Sequence, residues 1–215
     1  MFGKSNPNRL IVEGYADLFS VVALMSAHID WPLDKGNAPV WIEIGGSVEE
    51  ILEDGYLKVH LMSRETKTLG VVLDADANPS GRYASFSHRC EQFFRLPKDL
   101  PKDGLVADGT DGKRLGLWVM PDNASKGCLE TFLKYLVPDA LEPTWKYATE
   151  CVTKARELGC KCKEPHVAKA NLYTWLAWHD PPGQSPGASL TKKVLDPHSP
   201  NAAAFVKWFR GLYKL

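Results

Sequence analysis

Four carboxylates occupy positions from which they can act on a common ligand. Glu13 closes the short apolar run RLIVE (9–13), and Asp74 and Asp76 follow the continuous run LGVVL (69–73). Residues two apart on an extended segment point to the same side, so Asp74 and Asp76 are expected to present both carboxylates to one ion. Asp17, four residues after Glu13, falls in the first turn of the helix that follows and is expected to face the same region. Carboxylates that converge repel one another unless a cation sits among them. Oxygen-only ligation, with no matching set of thiolates or imidazoles, suits Mg²⁺ or Mn²⁺. A hard divalent ion so held serves phosphoryl chemistry: it polarises the phosphate, orients a nucleophile and neutralises charge developing in the transition state.

Positioning these acids requires strands that end where helices begin. The run at 9–13 is followed by Gly14 and then by Leu18, Val21, Val22, Met25 and Ile29 at helical spacing. VWIEI (40–44) is a second β-rich run, stopped by Gly45 and Gly46, after which Ser47 and Glu50 form a capping box that opens a helix. The third run, 69–73, is apolar on both faces, as in a strand buried in a parallel sheet. Strands alternating with helices indicate βαβ units and a mainly parallel sheet flanked by helices. In such sheets ligands bind outside the carboxyl ends of the strands, where Glu13, Asp74 and Asp76 fall.

Farther along, 80–94 reads as a helix, 98–113 is rich in Pro, Gly and Asp, and LGLWVM (115–120) reads as a fourth strand. DGTDG (108–112) is a hairpin or loop tip; it lacks the acidic residues in register to a distal Glu that an EF-hand needs. Leu129, Phe132, Leu133 and Leu136 mark another helix, which stops before Pro138. Helices are then expected over 144–158, 165–178 and 201–213, with a Pro- and Gly-rich loop at 180–187. The organisation read here is an α/β domain over 1–140 and a helical extension over 141–215 packed on the same core.

VEGYAD (12–17), followed by a strand ending in DAD (74–76), resembles the Toprim domain of topoisomerases, bacterial primases and OLD-type nucleases, strand, glycine and helix context included. With MPDN (120–123) and GCLETFL (127–133), the fuller pattern looks like a stand-alone Toprim-like family of bacterial and archaeal proteins. The Toprim resemblance covers 9–136, and the similarity to the stand-alone family runs through the chain. It implies a Toprim-like, Rossmann-like fold. It also implies that Glu13 acts near the reacting phosphate as general acid/base or metal ligand while Asp74 and Asp76 bind Mg²⁺. In the OLD-type branch further acids complete a two-metal site, and Asp17 and Glu130 stand at the matching places; a distal lysine stabilises the transition state, for which Lys169 is the candidate. No topoisomerase tyrosine domain, primase zinc module or GxxxxGK[ST] motif is present.

Each of these residues also has a purely structural reading. Asp74 and Asp76 suit the loop after a buried strand, Asp17 and Glu130 suit the first turn of a helix, and Lys169 suits a solvated helix face. The helix start at Gly45, Gly46 and Ser47 reads either as a cap or as a phosphate contact. Cys160, Cys162 and His166 depart from zinc-ligand spacing, and the remaining histidines have no spacing to a nucleophile that defines a triad. Trp175 and Trp178, three apart, read as core, and Lys192, Lys193, Lys207 and Arg210 as solvated surface or a basic patch.

Composition bounds the function. The 215 residues are 44% hydrophobic and carry 26 Lys+Arg against 26 Asp+Glu, which excludes disorder and leaves no long-range field that draws the molecule onto polyanions. MFGKSNPNRL has no signal-peptide apolar run, no stretch is long enough to span a bilayer, and five cysteines without a regular framework fit a reducing compartment. The expectation is a cytoplasmic, Mg²⁺-dependent phosphoryl-transfer enzyme, a nuclease acting on DNA or RNA. The alternative is a non-catalytic Toprim module that binds nucleic acid or a nucleotide, or serves as a subunit of a defence or repair complex. Neutral charge raises the place of a partner subunit.

Overall fold

The computed structural model describes residues 6–32 and 35–215. The first half of the polar start MFGKSNPNRL, read above against a signal peptide, lies outside the described residues. Five strands form one sheet: β1 (Asn8–Val12), β2 (Trp41–Ile44), β3 (Thr68–Asp74), β4 (Leu105–Asp108) and β5 (Arg114–Met120). Their order is β2-β1-β3-β5-β4, with β4 antiparallel to β5 and every other pairing parallel. The chain is thus α/β with a mostly parallel sheet. Among the described residues no helix is long and apolar enough to cross a membrane.

The period-two alternation of the strands divides the interior. Ile11, Leu69, Val71, Leu73, Leu115, Leu117 and Val119 face helices α2 (Val48–Ile51), α3 (Tyr56–Met62) and α4 (Pro79–Cys90). Leu10, Val12, Val72, Trp118 and Met120 face the other way, against α1 (Tyr15–Ser26), α5 (Leu129–Lys134), α6 (Glu142–Glu157), α7 (Val167–Leu176), α8 (Pro186–Thr191) and α9 (Ala203–Tyr213). The helices of the C-terminal third therefore share an interior with the sheet. Trp118 on β5 lies edge-on to Phe205 with ring centroids 5.3 Å apart and 5.7 Å from Trp208. Two glycines paired across β3 and β5, Gly70 and Gly116, let α9 approach: a Cβ at either would collide with Leu212, and at Gly70 also with the Tyr213 hydroxyl. That hydroxyl donates to the Arg9 carbonyl at 2.7 Å, tying the end of α9 to β1.

Three elements depart from the sequence reading. β4 lies inside the segment read as Pro-, Gly- and Asp-rich; its four residues at the sheet edge give too short a pattern for an alternation signal. The helix opened by Ser47 lasts one turn, and after Gly55 at φ +96° the chain restarts as α3. α8 begins within the loop read over 180–187. Pro186 sits in its first turn, the Ser185 hydroxyl accepts from Ala188 N–H, and Gly187 packs against the Phe19 backbone, so α1 supports a helix too short to stand alone.

Candidate functional site

The site stands at the carboxyl ends of β1 and β3, adjacent strands in the sheet. Asp74 is the last residue of β3, and its backbone N–H donates to Glu13 Oε1 at 2.7 Å, joining the two strand ends. Asp74 Oδ1 in turn accepts from the N–H of Leu129, the first residue of α5, at 2.9 Å. Asp17 reaches back to the start of its own helix, where Oδ2 accepts from Gly14 N–H at 3.0 Å. Its structural reading as a first-turn acid is therefore satisfied, yet its carboxyl group is also half-buried within reach of the charge of Glu130.

Glu130 and Lys169 arrive from α5 and α7. Glu130 is only 7% exposed; Lys169 Nζ lies 3.6 Å from its Oε1, and the Cys128 thiol donates to its Oε2 at 3.1 Å. Asp76 is placed differently. The extended geometry on which the same-side expectation rested ends at Asp74, and Asp76 turns into the left-handed region at φ +48°. Its backbone exchanges hydrogen bonds with Gly127, and Oδ2 accepts from Arg82 at 2.7 Å, while Arg82 also reaches Glu49 at 3.1 Å.

Burial and mutual repulsion leave these acids reluctant to ionise. Asp74 is pushed up to about 9, first by burial and then by the charges of Glu13, Asp17 and Glu130, against the opposing hydrogen bond from Leu129. Glu13 rises to about 7 through burial and then Asp17 and Asp76, opposed by the Asp74 N–H and Arg82. Asp17 rises to about 6 by burial and the charge of Glu130, with the Gly14 N–H and Lys169 pulling the other way. The Cys128 thiol, buried and facing Glu130 and Asp74, is raised to about 12 and stays protonated.

The donors are hard oxygens on a partly closed edge, the chemistry a divalent cation prefers. Their spacing is looser than their chemistry: among the described residues no three His, Cys, Asp or Glu side chains are gathered so as to hold a metal ion as they stand. A cation at this edge would require these side chains to draw closer together than they stand.

Arg82, Cys128 and the Leu129 N–H belong to this edge and had no sequence signal beyond GCLETFL lying near Glu130. Other motif residues are structural. Ser47 and Glu50 cap each other at 2.7 and 3.3 Å on a four-residue helix. Asn123 of MPDN is buried, accepting from Val119 N–H at 2.8 Å and donating to the Lys102 carbonyl at 3.1 Å. Trp175 is core, whereas Trp178, read as core with it, falls beyond the end of α7 and is 47% exposed beside Tyr147; all five cysteines are free thiols.

No curated protein and no solved structure matches this chain. Residues 7–214, nearly its whole length and all the site residues named above, match the family described as Protein of unknown function (DUF3226), and the chain belongs to that family.

Proposed function

We propose that the protein is a Mg²⁺- or Mn²⁺-dependent phosphoryl-transfer enzyme of the Toprim-like type, a nuclease that hydrolyses phosphodiester bonds of DNA or RNA. The observation that carries this reading is the meeting of Glu13, Asp17, Asp74 and Glu130 at one sheet edge, where burial and repulsion raise three of them far above ordinary carboxylates. Structural acids seldom gather at such a cost, and strongly shifted groups cluster at functional sites. Asp74, Glu13, Asp17 and Glu130 would hold the ion, with Asp76 at the rim. When bound, the ion supplies Lewis-acid polarisation of a phosphate and neutralises the acids' charge.

The chain's own groups provide the rest. Glu13, with a pKa of about 7, is matched to taking up or releasing a proton near neutral pH. The Asp74 N–H fixes its carboxyl group, so the proton moves at the other oxygen, Oε2. Lys169, held by Glu130 and otherwise half exposed, offers an ammonium to a phosphate oxygen. Five free thiols support a reducing, cytoplasmic setting.

Incubation of the protein with single- and double-stranded DNA and RNA, with Mg²⁺, with Mn²⁺ and with chelator, tests the reading. Cleavage that requires the metal and disappears in Asp74→Ala and Glu13→Ala is expected; full activity in either variant refutes the assignment.

A second reading is a module that binds nucleic acid or a nucleotide without cleaving it, as a subunit beside a partner. The unassembled ligand spacing and the zero net charge favour it, because a lone nuclease gains from electrostatic attraction to its substrate. Metal binding without turnover in the same assay would select it.

A further inference from the structure

We infer that the protein carries a second, cationic site at the far end of α1, shaped for an organic phosphate: a phosphate group joined to a flat or apolar body of mononucleotide size. The observation is a surface cavity of about 490 Å³ whose lining includes His28, His198, Pro200, Val206, Lys207 and Arg210, within the range of small-molecule sites. No Asp or Glu is among its lining residues, and the main-chain oxygen of Leu215, the last residue of the sequence, is part of its wall. It is independent of the acidic edge, since Asp17 lies in the first turn of α1 and His28 just past its last, about 16 Å along the axis at 1.5 Å per residue.

Each cation has one partner and keeps nitrogens for a ligand. Lys207 and Arg210 are three residues apart on α9 and so share a face. Arg210 Nε donates to the Leu215 carbonyl at 3.1 Å, which fixes the guanidinium plane and leaves its two terminal nitrogens for a bidentate contact. Lys207 faces Asp103 at 3.6 Å, but both side chains are more than three-quarters exposed, so water screens that pair and a ligand can replace it. His28 Nε2 donates to the Pro197 carbonyl at 2.8 Å, which assigns its proton, and its ring stands edge-to-face to His198 at 4.9 Å.

The wall is built before any ligand arrives. The loop carrying His198 and Pro200 is tied to the end of α5: Asp196 N–H donates to the Leu136 carbonyl at 2.8 Å, and the Ser199 hydroxyl and Asn201 amide both donate to the Tyr135 carbonyl. Pro200, Ala203 and Val206 give the pocket an apolar side beside its charged one. An inorganic anion would use only the charged side, whereas a phosphate ester uses both.

Titration calorimetry of the full chain in phosphate-free buffer, with 5′-AMP as probe and with adenosine and inorganic phosphate as its two halves, tests the site. Saturable 1:1 binding of AMP is expected, at least about tenfold tighter than either half. The double variant Lys207→Gln, Arg210→Gln should bind AMP about a hundredfold more weakly, each lost charge-assisted hydrogen bond counting for roughly tenfold, with an unchanged thermal midpoint because both side chains reach into solvent. The inference is overturned by an absence of AMP binding, by equal affinity in the double variant, or by loss of AMP binding in Asp74→Asn, which would place the ligand at the acidic edge. Inorganic phosphate binding as tightly as AMP would overturn the organic-phosphate assignment.

Discussion

The strands of one sheet serve opposite ends. On their face, Val72 of β3 and Trp118 of β5 join Phe132, Phe205, Trp208 and Phe209 in an apolar cluster where burial of each ring lowers the free energy of the folded chain. At their carboxyl edge, Asp74 is half-buried next to Glu13, Asp17 and the buried Glu130, and each ionised carboxylate raises the cost of ionising the next. The first region is what holds the fold together; the second is tolerated by it. Buried carboxylates without full compensation persist only where the surrounding structure is stable enough to enforce them.

Asp74→Asn sharpens the contrast most. The amide keeps an oxygen to accept from Leu129 N–H and removes the charge that would hold the ion, so metal-dependent cleavage should fall by at least about 10²-fold while the metal-free protein melts at a higher temperature at pH 8. Cleavage rates and thermal scans of the same preparation read both, and a lower melting temperature would break the comparison. Phe205→Ala should do the reverse. Removing a fully buried ring that touches Trp118, Phe132, Trp208 and Phe209 costs about 3–5 kcal/mol by chemical denaturation, with cleavage per folded molecule little changed.

Acidity gives a third handle. Asp74, Glu13 and Asp17 keep their protons in the folded chain to about pH 9, 7 and 6, whereas the unfolded chain releases them near 3.8 to 4.5. The folded state therefore binds more protons across this window. The stability these groups contribute is full below about pH 4 and is lost progressively from there to about pH 9, most steeply below pH 6 where all three contribute, by an amount on the order of a few kcal/mol. Urea unfolding of metal-free protein from pH 5 to pH 9 should show this decline, and 10-fold molar excesses of Mg²⁺ should offset it only at the alkaline end; a stability that rises over the range would contradict it. The smallest effect is expected at Lys169→Gln: about a tenfold slower single-turnover cleavage with a stability change of about 1 kcal/mol, since the lysine is half exposed and the buried Glu130 keeps the Cys128 thiol as a donor.

Legibility in the sequence followed the range of the interaction. The runs at 9–13, 40–44, 69–73 and 115–120 announce four of the five strands because period and β-branching are local, and the Ser47 and Glu50 cap is complete within four residues. β4 and α8 were not legible because each owes its form to a neighbour: β5 pairs with the one and α1 packs on the other. In the site, acids at strand ends were visible as types and positions. The turn of Asp76 onto Arg82 was not, because a left-handed residue and an ion pair across six positions leave no periodic mark.

What the sequence by itself determined is the alternation of strands and helices, the apolar faces that must be buried, and the presence of Glu13, Asp17 and Asp74 where strands give way to helices. These follow from backbone preferences and hydrophobic period, which act over a few residues. Only the tertiary structure decided that β1 lies beside β3, so that the Asp74 N–H meets Glu13; that α5 and α7 bring Glu130 and Lys169 to the same edge; and that His28 meets His198 across most of the chain. Those meetings depend on sheet order and helix packing, which are set by how the whole apolar surface is covered at once and by no single segment of it.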